Sequence, residues 1–204
     1  RHSPHIATLT CRFGSGSSPM TELVTQRLLL RQWTGQDSAA FARLNADPEV
    51  MRFFPSTLDV AASDALLRRC QDNIASRGWG LWALERKSDS EFLGFVGLEQ
   101  PTTVLPFSPC IEVGWRLARQ FWGFGYATEA AQAALHFGYT KLGLNEIVAF
   151  TALINQPSRA VMERLGMHNT HQDFEHPNLA VGHPLRAHCL YCLSRSQWQT
   201  RQRP

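Results

Sequence analysis

The sequence predicts an α/β domain in which helices cover one sheet with antiparallel and parallel parts. Three observations support this. Strand-like and helix-like patterns alternate unevenly along the chain, three strands in a row standing between helices. At 204 residues, with 44% hydrophobic and 18% charged residues, the chain has the length and composition of one well-filled globular core. Finally, a glycine turn opens into an alanine-rich helix late in the sequence, an arrangement that packs a helix close against a sheet.

Taken in order, RLLLRQW (Arg27 to Trp33) reads as a strand and Asp37 to Asn45 as a short amphipathic helix with Ala40, Phe41 and Leu44 inward. Pro48 and Pro55 bound a turn-rich stretch. A longer helix spans about Asp59 to Ser76, with Leu66 and Leu67 buried and Gly78 ending it. Gly80 to Arg86 and Phe92 to Leu98 form a hairpin around the polar turn KSDSE. After a proline-containing loop from Pro101 to Pro109, CIEVGWRLA is a strand. RQFWGFGYATEAAQAALHFGYTKLGL is a glycine turn and helix, with Ala127, Ala130, Ala131, Ala134 and Leu135 at helical spacing. EIVAFTA is a buried strand, NQPSRAVMERLG a helix closed by Gly166, and Arg186 to Leu193 a last extended segment with Trp198 beyond it.

Residues 1–19, RHSPHIATLTCRFGSGSSP, have no signal-peptide core; they read as an expression remnant, an upstream extension or a native arm without fixed structure, with Met20 a plausible start. The domain is expected over 20–198 and a tail over 199–204. No apolar run reaches bilayer length, so no membrane partner is expected. The formal charge of +3 is carried almost wholly by scattered arginines, Lys occurring only at Lys87 and Lys141, which argues against nucleic acid. It suits a ligand with several phosphates. Cys11, Cys70, Cys110, Cys189 and Cys192 are an odd set and read as free thiols in a reducing, cytoplasmic setting. Cys189 and Cys192 lie three apart on an extended segment and point to opposite faces, so no metal site is expected there; His168 and His171 have the same geometry.

The chemistry concentrates at Gln120-x-x-Gly123-x-Gly125, between a strand and a helix start, where free backbone N–H groups and the helix dipole hold a pyrophosphate. Side chains at Gly123 or Gly125 would obstruct its approach. A dinucleotide fingerprint needs a third glycine, where Thr128 stands, and normally follows its domain's first strand; a P-loop needs a lysine. An acyl-coenzyme A loop survives both tests.

RQFWGFGYATEAA resembles the Q/R-x-x-G-x-G/A signature of the GNAT N-acetyltransferases, in the variant of the ribosomal-protein-acetylating branch. EIVAFTALINQPSRAVMERLGM is similar to the family's downstream strand, Asn and helix, with Asn155, Ser158 and Gly166 at the expected intervals. The likeness spans about Thr25 to Arg195 and is nearest to bacterial members acting on peptides or peptide-like amines, including polymyxin. It implies a sheet of about seven strands, antiparallel in its first half and with a splayed parallel pair in the middle. It also implies acetyl-CoA, held by the loop Gln120, Gly123, Phe124, Gly125, Tyr126 and Ala127, by the backbone of Val113, Trp115 and Leu117, and by Asn155 and Ser158.

The same resemblance implies direct transfer to a primary amine of a small molecule, peptide or peptide-like antibiotic, by a monomer or homodimer. Many members carry a Tyr acid seven residues after the Asn; here that position is Met162, and Ser158 matches the acid of the ribosomal-protein branch. As an alternative, Ser158 only bonds backbone at a helix start. Glu112 matches the branch's acidic strand residue and would anchor or deprotonate the amine if it lines a cleft rather than solvent. Phe121 and Trp122 read as packing, Trp115 as core, and His136 and Tyr139 as structural. Competing functions are a protein N-terminal acetyltransferase and a non-catalytic acyl-CoA sensor, which would not need Glu112 and Ser158 together.

Overall fold

The computed structural model describes residues 9–11 and 21–203. Most of the expectation for residues 1–19 therefore lies outside the described residues, but Leu9–Cys11 (β1) pairs antiparallel with Thr21–Val24 (β2). Next come Leu28–Arg31 (β3), helices Ser38–Ala46 (α1) and Val60–Arg77 (α2), then Leu81–Arg86 (β4), Glu91–Glu99 (β5) and Glu112–Leu117 (β6). Tyr126–Thr140 (α3), Glu146–Ala152 (β7) and Gln156–Arg164 (α4) follow. The chain closes with the short strands His168–Asn169 (β8) and Phe174–Glu175 (β9), the long Ala187–Ser194 (β10), and helix Arg195–Gln202 (α5).

All the strands join one sheet in the order β1-β2-β3-β4-β5-β6-β7-β10-β8, with β9 also on β10. This is the mixed α/β sheet expected from sequence. Among the described residues it holds ten strands rather than about seven, because β1, β8 and β9 add two- or three-residue ladders at the margins. β4 and β5 form the expected hairpin. The sole parallel neighbours among the described strands are β6 and β7, and a single register pair, Glu112↔Val148, joins them. Beyond that pair the strands part.

Local chemistry explains several helix ends. The Asp59 carboxylate accepts from Ala62 N–H at 2.8 Å and opens α2, while Gly78, at φ 80°, closes it in the left-handed conformation. α5 runs past the boundary expected at residue 198. Ser194 and Gln197 form a reciprocal capping box there, with bonds of 2.9 and 3.2 Å.

The core lies between the sheet and its helices. On one side α3 lays Ala130, Ala131 and Ala134, all fully buried, against β5 and β7, and Tyr139 Oη donates to Leu193 O at 2.6 Å. On the other, α1 and α2 cover Trp33 and Phe95, whereas Trp82 meets Phe137 of α3 edge-on; Trp33 Nε1 donates to Leu81 O at 2.7 Å, which permits its full burial. Cys189 is buried and Cys192 half-buried, both free thiols on opposite faces of β10, and no group of three potential metal-ligating side chains occurs among the described residues. None of the described helices is long and apolar enough to cross a membrane.

Gly97 marks the tightest backbone crossing, since a Cβ there would run into the Gly80 carbonyl and the Leu81 Cα. Gly97→Ala should therefore destabilise the fold by about 1–3 kcal/mol. An unchanged midpoint in chemical denaturation would contradict that packing.

Candidate active site

The parting of β6 and β7 sets the site. Ala118 N–H donates to Leu93 O at 2.9 Å, and Gly94 to Glu99 pair in register with Leu117 to Glu112. By the alternation of an antiparallel ladder, the even-numbered residues of β6 bond to β5, while the backbone of Val113, Trp115 and Leu117 is directed towards β7. Where β7 diverges, those groups face a cleft of about 1030 Å³ that continues to the glycine loop. Leu117 O is already occupied by Trp122 Nε1 at 2.9 Å, which fastens the loop to the strand.

Gly123 and Gly125 adopt φ 81° and 79°, and Gly125 is the N-cap of α3. Glu129 N–H to Gly125 O, 3.0 Å, is the first bond of the helix. None of the six preceding N–H groups, Gly123 to Thr128, has an acceptor among the described residues. Unmatched donors at a helix start fit an anion, and the open space beside Gly123 admits a bulky one. Arg164, at the end of α4, brings a cation there, with Nε 3.4 Å from Thr128 Oγ1.

A clamp from the other end of the chain fixes this loop. Glu129 accepts from Thr25 Oγ1 at 2.6 Å, Arg27 N–H at 2.9 Å and Arg27 Nε at 2.7 Å. Burial alone would raise the Glu129 carboxyl, but these donors outweigh it and hold the group below its ordinary range. Arg27 Nη1 also donates to Phe124 O at 2.9 Å, and its guanidinium lies 4.6 Å from the centre of the Tyr126 ring.

Of the residues expected to hold the coenzyme, Val113, Trp115, Leu117, Gly123, Gly125, Tyr126, Ala127, Asn155 and Ser158 line the cleft. Gln120 and Phe124 do not. Gln120 faces outward from a short 3-10 turn whose Phe121 is buried, and the exposed Phe124 stacks on Tyr126 at 5.6 Å. Trp115, read as core, is half-buried and forms cleft wall. Asn155 uses both polar ends on the chain: Oδ1 accepts from Ser158 N–H at 3.3 Å, and Nδ2 donates to Thr151 Oγ1 at 2.8 Å. With the cap supplied by Asn155, the Ser158 hydroxyl makes no hydrogen bond to the described residues and stands half-buried in the cleft wall. Met162 is buried nearby, and Tyr139 and Tyr191 are bonded elsewhere.

On the other side of the opening, Glu112 faces the cleft rather than solvent, half-exposed at its mouth yet enclosed by protein. Its register partner is Glu99, a second carboxylate on the same face. Desolvation, then the Glu99 charge, raises the Glu112 carboxyl well above its ordinary range. Burial raises Glu99 also, partly offset by Arg69, Arg77 and Arg116. Phe53, Phe54, Phe150, His176 and His188 complete an aromatic wall, both imidazoles being lowered mainly by burial. Sequence reasoning missed Glu99, Arg116, Arg27, Glu129 and Arg164. The two-residue period of β6 does place Arg116 on the face of Glu112.

The profile of the acetyltransferase (GNAT) domain matches residues 27–168. The chain belongs to this GNAT acetyltransferase family. YkkB of Bacillus subtilis is 34% identical over 149 residues, covering 72% of this chain and 86% of that protein. The FsC-acetyl coenzyme A-N(2)-transacetylase of Aspergillus fumigatus is 32% identical over 171 residues, covering 79% and 71%. Among solved structures, a GNAT-family acetyltransferase from Bacillus anthracis superposes with a TM-score of 0.70 at 22% identity, over 85% of this chain and 98% of that one. RimJ from Mycobacterium smegmatis, in complex with CoA-disulfide, superposes at 0.65 with 23% identity, over 83% of each chain. These two likenesses establish the shared fold. As a GNAT acetyltransferase the protein takes its acetyl group from acetyl-CoA, and the row of free N–H groups at α3 suits the pyrophosphate.

A β-branched side chain at Gly125 would have to enter the left-handed region. Gly125→Val should weaken coenzyme A binding at least about tenfold, because such backbone strain costs about 1–3 kcal/mol. Titration calorimetry measures the loss, and circular dichroism should show the fold retained. Equal affinity would remove the loop from the site.

Proposed function

We propose that this GNAT enzyme transfers acetyl to the primary amine of a small molecule, peptide or peptide-like antibiotic by direct attack, with Glu112 as base and Ser158 as acid. One observation carries the reading: the cleft joining the free N–H groups of the loop to Glu112 also holds the uncommitted Ser158 hydroxyl. The FsC relative, whose name specifies transfer from acetyl coenzyme A to an N(2) position, supports a nitrogen acceptor.

The bound coenzyme supplies an activated thioester carbonyl. The residues must deliver a neutral amine to it. With a pKa near 10, only about one amine in a thousand is neutral at pH 7, a penalty of about 4 kcal/mol. Glu112 attracts the ammonium and accepts its proton, directly or through water; its raised pKa makes it a better base than an ordinary carboxylate. The N–H of Trp115, facing the gap, is placed to donate to the carbonyl oxygen as charge develops. Ser158 Oγ–H gives a proton to the departing sulfur. The pair distinguishes an enzyme from a coenzyme sensor.

Removing each group should leave a different signature. Ser158→Ala should lower kcat about ten- to a thousandfold with coenzyme affinity almost unchanged, the mark of a contact made mainly in the transition state. Glu112→Gln should lose the acidic limb of the pH–rate profile and regain part of its rate as pH rises. An unaltered profile in that variant would exclude Glu112 as the base.

Stability supplies an independent check. A carboxyl whose folded pKa exceeds its unfolded value favours the fold at low pH, and the advantage is lost as pH rises from the unfolded pKa through the folded one. Glu112→Gln should therefore raise the melting temperature at pH 7 more than at pH 4. The opposite trend would mean that Glu112 is stabilised as an anion.

A further inference from the structure

Arg116 is a cation that the fold surrounds without neutralising. Its backbone belongs to β6, two alternations beyond Glu112 on the same face, and it lines the acceptor side of the cleft. The guanidinium lies between two rings, 4.3 Å from the centre of Phe54 and 5.2 Å from that of Phe95. Nη1 donates to Asn45 Oδ1 at 2.7 Å, Nε is buried with no partner, and Arg116 forms no ion pair among the described residues. Arg31 shows the contrast, since it is similarly enclosed but bonded to both Asp37 and Glu85. Burial pulls the Arg116 guanidinium down to about 10, still a cation at neutral pH.

A planar fork held between rings and short of acceptors is suited to a carboxylate. The same face ends in the carboxylates of Glu99 and Glu112. The acceptor side of the cleft thus has a negative end beside the reacting centre and a positive station four residues along the strand. A strand rises about 3.3 Å per residue, so the two backbones stand about 13 Å apart, a gap that the two side chains reduce.

Resting on the amine-acetylating reading above, we propose that the acceptor is an amino acid in the broad sense, an amine whose molecule also carries a carboxylate, and that Arg116 binds the carboxylate while Glu112 receives the amine. Arg116 is then a specificity-determining residue. It selects amino acids, or peptides with a free carboxyl end, over plain amines.

The test uses matched pairs, each a carboxylate and its carboxamide: ω-amino acids of two to six carbons, lysine, and an Ala-Lys dipeptide. Binding to the wild-type protein with coenzyme A present is read by calorimetry, and acetylation from acetyl-CoA by thiol release. At least one acid should exceed its amide about tenfold or more in affinity and in kcat/KM, the scale of a buried charged contact. The dipeptide arm separates peptide ends from free amino acids. In Arg116→Gln and Arg116→Lys the acid-to-amide ratio should fall towards one, with coenzyme affinity unchanged. A merely structural Arg116 would lower the stability and activity of both partners alike and leave the ratio intact. If no pair shows an acid preference in wild type, or the preference survives both substitutions, the proposal is overturned. Acetylation of amides and plain amines without that preference would leave the amine-acetylating reading standing, whereas failure to acetylate any amine would count against that reading while the binding ratios still decided Arg116.

Discussion

The site depends on one failure of pairing. β6 and β7 touch through a single register pair, Glu112↔Val148, and then separate. A sheet normally satisfies every backbone donor of an interior strand, and unpaired donors inside a protein are costly. Here the divergence exposes the backbone of Trp115 and Leu117 in the middle of the molecule. The gap persists because each strand is held on its far side, β6 along its length by β5 and β7 along seven positions by β10. The two halves of the sheet are each continuously paired, and the cleft is the seam between them.

Charge placement follows from the same seam. Glu99 and Glu112 oppose one another across β5 and β6, an arrangement that repels when both are ionised. On the same face of this interior strand Arg116 forms no ion pair among the described residues, while Glu99 has a distant one, with Arg69 at 4.0 Å. Arg31, by contrast, is bonded to both Asp37 and Glu85. Unrelieved charge is concentrated where a charged acceptor would relieve it.

Features set by neighbours along the chain are legible in the sequence itself. The spacing of Gly123 and Gly125 ahead of an alanine helix points to the glycine loop, and strand alternation puts Glu112 and Arg116 on one face. Resemblance supplies the splayed pair, which no periodicity reveals. Long-range partners are not legible. Glu129 looks like an ordinary acidic residue of a helix's first turn until Thr25 and Arg27 are placed beside it, and Arg116 gains meaning only from Asn45 and Phe54, more than sixty positions earlier. Asn155 carries a role that motif spacing does not reveal, since its amide oxygen caps α4 while the residue lines the cleft. Gln120 and Phe124 belong to the motif by position, yet in a tight turn only some side chains can point inward, and the buried Phe121 takes that place beside Gln120.

The bond between Glu129 and the Thr25–Arg27 turn also orders events in time. It joins residues about a hundred positions apart, so the glycine loop is pinned only after the first strands and the central helix have met. Contacts of such separation form late, after the entropy of closing a long loop has been overcome. The pinned loop, and with it coenzyme affinity, therefore requires that both ends of this long separation be assembled. Coenzyme in the surrounding solution draws the population towards that finished state by mass action. The concentration of the acetyl donor thus bears on how much of this protein is folded as well as on how fast it works.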